Sequence, residues 1–218
     1  MQNKLREDPK SFIDYLQRQL DTFKGNTMTD SQNRSILTVE GKAAWSEAID
    51  YLKTAEARQP LAWSDGLAAS AFDHCEDIGG RGVASHNGSD GSSPFDRIAR
   101  YGTASGMEGE NISFGSSTAK AIIMDLFVDD GVRDRGHRNS LMQKAFKLTG
   151  ISFCEHDSQY KHMTDVLYAG SFALNTKGEE KIARLAAMRG GSGEVVKGKE
   201  EGNKPVVDRR RRPRKGRG

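Results

Sequence analysis

Apolar side chains recur at helical spacing through most of the chain. After Asp8-Pro9, an N-cap candidate followed by proline at the first helical position, come Phe12, Ile13, Leu16, Leu20 and Phe23, and Gly25 closes the run. A second amphipathic helix is expected from about Val39 to Glu56, with Ala44, Trp45, Ala48, Ile49 and Leu52 on one side. Ser64 is placed to cap a third, on which Leu67, Ala71, His74 and Ile78 share a face before Gly79-Gly80. The segment Arg81 to Ser93 has no apolar period and reads as loop, and Ser93-Pro94 opens a short helix ending near Tyr101-Gly102.

Beyond it, Gly106 to Gly115 reads as turn and short extended structure, and Thr118 to Val128 as a helix burying Ile122, Ile123, Leu126 and Phe127. Leu148 to Glu155 and Asp165 to Ala173 are the best strand candidates, joined by turn-forming residues around Asp157 to Gln159. Thr176 to Met188 is a rather polar last helix, and no core-forming pattern follows Gly190. Helices first and strands late point to an α+β layered domain rather than alternating βαβ units. The expected organisation is a folded unit over residues 1–175, a C-terminal helix over 176–189 and a basic low-complexity tail over 190–218.

Composition adds an asymmetry. Residues 197–218 hold ten Lys/Arg against Glu200, Glu201 and Asp208, while the whole chain carries only +3, so the body is mildly acidic and the high pI belongs to the tail. Cys75 and Cys154 lie far apart, each in an apolar pattern. That favours two buried thiols over a bridge or reactive pair, and with it a reducing, cytoplasmic compartment. No apolar run approaches the ~20 residues of a membrane span, and the first residues lack the apolar core of a signal peptide.

Three polar, glycine-rich strings carry the candidate chemistry: Ala84-Ser85-His86-Asn87-Gly88-Ser89-Asp90-Gly91, then Gly109-Glu110-Asn111-Ile112, then Val128-Asp129-Asp130-Gly131 leading into Arg135-Gly136-His137-Arg138-Asn139. Two imidazoles with carboxylates suit a divalent metal of the zinc type with positions left for water, or a hydrogen-bonded acid–base pair. The blander alternatives are a helix-start hydrogen bond for His137, backbone capping by Glu110, and charge neutralisation of Arg133, Arg135 and Arg138 by Asp129 and Asp130. His74 reads as a satisfied core histidine, and His156 and His162 as exposed. The glycine-rich strings lack the lysine and strand–helix context of a phosphate loop.

Gly109-Glu110-Asn111-Ile112 followed by Gly136-His137-Arg138-Asn139, with Ser85-His86 upstream, resembles the CAP superfamily of cysteine-rich secretory, antigen 5 and pathogenesis-related 1 proteins. Leu61, Trp63, Leu67 and Ala71 fit the family's helix start, and Arg6 to Tyr15 resembles its first helix. The strings around Gly88 to Arg97 and Val128 to Val132 are similar to the branch seen in protists. The resemblance implies a three-layer α-β-α sandwich with a small antiparallel sheet and a cleft lined by two histidines and two acids. Carried over, His86 and His137 are the histidines and the tentative metal ligands, and Glu110 is the first acid. The family's second glutamate follows a tryptophan that this sequence lacks, so Asp129 or Asp130 stands in, one methylene shorter.

Two function classes follow. The first is a non-catalytic structural or binding protein that docks to a large assembly through its tail. Arg209, Arg210, Arg211, Arg212, Arg214, Lys215 and Arg217 put seven cations in the last ten residues. They suit a polyanion but bring no aromatic residue for base stacking. An acidic protein surface such as tubulin, in a ciliary axoneme doublet microtubule, is the leading candidate partner, with RNA in a ribosome-like particle second. The other class is a metal-dependent hydrolase, or a lipid-binding protein, using the His86/Glu110/His137 cleft.

Overall fold

Every residue from Met163 to Ala169 is buried, a pattern that only a strand covered on both faces can sustain. The computed structural model of the chain describes residues 1–30 and 33–190. It shows why this run is buried throughout. Val166 and Tyr168 pack into one core with Leu16, Trp45 and Phe127, while Leu167 and Ala169 face a second core with Leu67, Ala71 and Ile98. Alternation along one strand thus feeds two helical layers.

The helices of the first layer are α1 (Gln2–Glu7), α2 (Ile13–Leu20), α3 (Lys42–Thr54), α6 (Ala119–Val128) and α7 (Gly136–Leu141). Those of the second are α4 (Asp65–Ile78) and α5 (Pro94–Ala99). Between them lies a four-stranded sheet in the order β3 (Ala62–Trp63), β5 (Leu148–His156), β6 (Lys161–Leu174), β4 (Gly102–Phe114). The β5–β6 and β6–β4 pairs are antiparallel, and the two-residue β3 adds in parallel to β5. The fold is an α+β, α-β-α sandwich, as the order of elements and the family resemblance both imply. A small hairpin of β1 (Thr27–Thr29) and β2 (Ser35–Leu37) lies in the expected loop after α2.

Local chemistry accounts for the helix ends. Ser64 Oγ accepts from Leu67 N at 3.4 Å, and Ser93 forms a reciprocal capping box with Asp96 in front of Pro94. Thr118 caps α6 in the same way as Ser64 caps α4. At Gly150 a Cβ would collide with the backbone of Leu67 and Ala68, so glycine is what lets α4 lie directly on β5. The last helix, α8 (Thr176–Gly190), docks back on α4 through Lys181 Nζ, 2.6 Å from Asp73 Oδ2 and 4.5 Å above the Tyr101 ring.

Three expectations change. The stretch Gly106 to Gly115, expected as turn and short extended structure, supplies most of the long strand β4. Its Gly106 at φ +81° sits in a register shift between Ser105 and Glu108, and pairing then continues to Phe114. His156 is buried rather than exposed: Nδ1 is 2.7 Å from Ser158 Oγ and Nε2 3.1 Å from the Val83 carbonyl. Cys75 of α4 and Cys154 of β5 form a disulfide, with Cα atoms 5.9 Å apart. Sequence position hid it, because the two half-cystines are 79 residues apart and meet only when α4 packs on the sheet. The argument for a reducing compartment rested on free thiols and goes with them. Among the described residues, no helix is long and apolar enough to cross a membrane. The basic run of residues 209–217 lies outside the described residues.

Candidate functional site: two histidine–carboxylate pairs flanking an edge strand

Strand β4 lies at an edge of the sheet, in contact with α5 on one side and with α6 and α7 on the other. Consecutive residues of a strand point to opposite faces, and two neighbours of β4 use this to reach both layers. Glu110, paired in register with Leu167, faces α4 and α5; Asn111, paired with Val166, faces the other core.

On the first side, His86 Nδ1 lies 2.6 Å from Glu110 Oε1, and Arg97 NH2 donates to Glu110 Oε2 at 2.5 Å. The Glu110 side chain is 2% exposed and that of His86 55% exposed, so a buried acid holds a ring that looks outward. The loop carrying His86 is tied down by its own polar side chains. Ser89 donates to Asp77 from both its amide and its hydroxyl, and Asp90 accepts from the Ser92 amide and pairs with Arg100. Arg97 also donates to the His86 and Ser92 carbonyls at 3.0 and 3.1 Å, so one buried guanidinium fixes both the loop and the acid. Hydrogen bonding to these partners holds the Asp90 carboxyl at about 2.

On the second side it is Asp129, not Asp130, that meets His137. Asp129 ends α6 in the left-handed region (φ 60°, ψ 44°), which turns its side chain back onto the next helix. Its Oδ1 is 2.6 Å from His137 Nδ1 and its Oδ2 accepts the His137 amide at 2.9 Å. Asp130 goes elsewhere and caps the Val39 and Glu40 amides at 2.7 and 2.8 Å. The shorter acid therefore reaches because the backbone bends to it. Arg135, itself left-handed, clamps this loop through the Asp129 and Val132 carbonyls and pairs with Glu40 and Glu47. Hydrogen bonds from Arg135 and the Gly131 amide hold the Glu40 carboxyl down at about 2. Asn111, next to Glu110 in β4, ties the strand to this second half, its Nδ2 donating to the His137 carbonyl at 3.1 Å and to Tyr168 Oη at 3.2 Å.

The family model of the cysteine-rich secretory protein family, CAP, matches residues 2–169. The chain belongs to the CAP family. Among solved structures, this CAP chain is similar to an outer surface protein from Borrelia burgdorferi, with 17% identity and a TM-score of 0.43 over 51% of this chain and 78% of the other. It is also similar to an extracellular protein containing a SCP domain from Bacillus anthracis, with 22% identity and a TM-score of 0.41 over 56% of this chain and 37% of that one. No curated protein sequence matches it.

Because a carboxylate can only accept, each Nδ1 carries a proton, and in the neutral ring each Nε2 presents a lone pair. This is the arrangement that metal-bound histidines show, with the second ring nitrogen held by an acid. Among the described residues, no three of His86, Glu110, Asp129 and His137 bring ligating atoms within 4.8 Å of one another. These four residues do not make a closed four-ligand structural zinc site; each imidazole instead keeps one ring nitrogen clear of its acid. Arg97 was not among the residues the sequence singled out. Its signal was an arginine beside Ile98 on the inward face of a short capped helix, where burial requires a partner.

Proposed function

We propose that this CAP-family protein is a non-catalytic binding module that holds a divalent cation of the zinc class through Nε2 of His86 and His137. The observation that carries the reading is the pair of buried carboxylates, each spent on the Nδ1 proton of one outward-facing imidazole. Glu110 and Asp129 fix the orientation of the rings; Arg97 and the His137 amide in turn hold the acids. When bound, the cation would supply a Lewis-acidic centre for a ligand oxygen or water. A binding role suits the side chains better than hydrolysis. Both acids are already engaged by two donors each, and the cysteines are joined to each other. Zinc content of the full chain after loading and desalting, against a His86→Ala/His137→Ala variant, tests this. The reading expects the variant to hold one ion fewer per chain, and equal contents contradict it.

Docking is the task we assign to the basic tail. Seven cations in ten residues at the end of a mildly acidic body favour an acidic surface, with tubulin as the first partner to test and RNA as the competing one. Cosedimentation of the full chain and of residues 1–196 with microtubules, and filter binding to RNA, across a salt series separates them. Salt-sensitive microtubule binding lost with the tail is expected. Equal binding by both chains rules the tail out as the docking element.

A further inference from the structure

Behind the His86–Glu110 pair lies a second group of ionisable side chains that the cleft does not use. Asp165 stands in the middle of β6, on the face that looks toward α4, diagonal to Glu110 across the β6–β4 ladder. It is completely buried, and neither carboxylate oxygen has a hydrogen-bond partner. His74 of α4 is completely buried as well. Its Nε2 lies 2.9 Å from the Ser85 carbonyl, so that nitrogen carries the proton, and Nδ1 is left as a buried lone pair with no partner. His74, Glu110 and Asp165 each offer a ligating atom within 4.8 Å of the other two. His74 and Asp165 thus bring three orphaned acceptor atoms, His74 Nδ1 and both carboxylate oxygens, to one buried cluster, where a folded protein leaves very few.

Acceptors cannot satisfy one another. Something that accepts electron pairs must stand between them: a proton or a cation. The charged groups acting on Asp165 are Glu110, which repels it, and Arg97, which attracts it but is committed to Glu110 and to two carbonyls. One guanidinium cannot neutralise two carboxylates. Both Asp165 oxygens lack a partner, and burial together with Glu110 pushes the carboxyl well above the ordinary range. A span below 4.8 Å is also close to that of two metal–ligand bonds of ~2.0–2.2 Å on one ion. One imidazole nitrogen with two carboxylates is a donor set for zinc or a similar first-row cation. Calcium would demand six or more oxygens, and magnesium prefers oxygen and water.

We propose that His74, Glu110 and Asp165 form a second, buried divalent-cation site beneath the cleft, with His74 Nδ1 and the Asp165 carboxylate as ligands that no other role engages. The Ser85 carbonyl fixes the tautomer of His74, and Ser85 is next to His86, so the buried ion and the loop of the open site are mechanically connected. The site stands independently of the cation assigned to His86 and His137.

The test uses full-length protein with His86→Ala/His137→Ala, stripped by chelator and equilibrated with zinc alone. One ion per chain is expected, together with a large shift of the His74 Nδ1 resonance in nitrogen-15 spectra and no change at His156 or His162. Adding Asp165→Asn should abolish that ion while circular dichroism stays native. Overturning results are no zinc bound by the His86/His137 variant, or zinc binding that survives Asp165→Asn. If the aspartate variant does not fold, the His74 resonance decides: an unmoved Nδ1 in zinc-equilibrated protein refutes the site. The two readings fail separately. The open site fails if wild type binds no more than the double variant, and the buried site fails if the double variant binds nothing.

Discussion

Reducing the Cys75–Cys154 bridge should cost this protein a large share of its stability. The bond closes a loop of 79 residues between α4 and β5. In the chain-entropy treatment, opening such a loop releases about 15 cal/mol/K to the unfolded ensemble, or about 4.5 kcal/mol at room temperature. Native strain and residual unfolded structure reduce such figures, so a loss of ~2–4.5 kcal/mol is expected. For a domain of this size that is a fall in melting temperature of roughly 4–18 °C. The assay is thermal unfolding by circular dichroism with and without reductant, beside thiol titration in denaturant. Unreduced protein should show no free thiol in denaturant, and Cys75→Ser/Cys154→Ser should melt with the reduced protein rather than the oxidised one. Two titratable thiols in unreduced protein, or a reductant-insensitive melt, would refute the reasoning.

Other predictions rest on desolvated charge. Arg97→Ala leaves Glu110 buried with only a histidine beside it and frees the His86 loop, so a loss of about 3–5 kcal/mol in urea unfolding is expected. A loss below ~1 kcal/mol would mean the guanidinium is dispensable. Asp125 lines an open pocket with Arg34 and Ser116, and desolvation there pushes its carboxyl up to about 6, outweighing the Ser116 hydroxyl bond. Because the folded value lies above the unfolded one, stability present at pH 4 is lost as pH rises through 6, by ~1–2 kcal/mol after solvent screening of this exposed residue. Asp125→Asn should therefore match wild type near pH 4 and exceed it increasingly toward pH 7; a difference that does not change with pH contradicts this.

Much of the architecture is legible in the residues. Ser64, Ser93-Pro94 and Thr118 mark helix starts within a residue, because capping is local chemistry. Strand β4 was hidden because Gly106, Gly109, Glu108 and Glu110 are poor strand formers individually. Glu108, Gly109 and Glu110 pair, and Gly106 is bridged as a bulge, because β6 offers a partner along nearly its whole length. The motifs supplied His86, Glu110 and His137, but the choice between Asp129 and Asp130 depended on a left-handed backbone position that no pattern encodes. Asp165 was visible in principle, as an acid inside an otherwise apolar strand run. His74 looked satisfied because a helical face reports burial and says nothing of which ring nitrogen finds a partner.

The central claim, that two buried acids hold two imidazoles with Nε2 free to ligate, is tested most directly by the ring nitrogens themselves. Long-range proton–nitrogen correlation spectra of the full chain, recorded with neutral rings, should show His86 and His137 as Nδ1–H tautomers. Addition of zinc should then move both Nε2 resonances and leave both Nδ1 protons in place. An Nε2–H tautomer at either histidine, or Nε2 resonances that ignore zinc, would contradict the account.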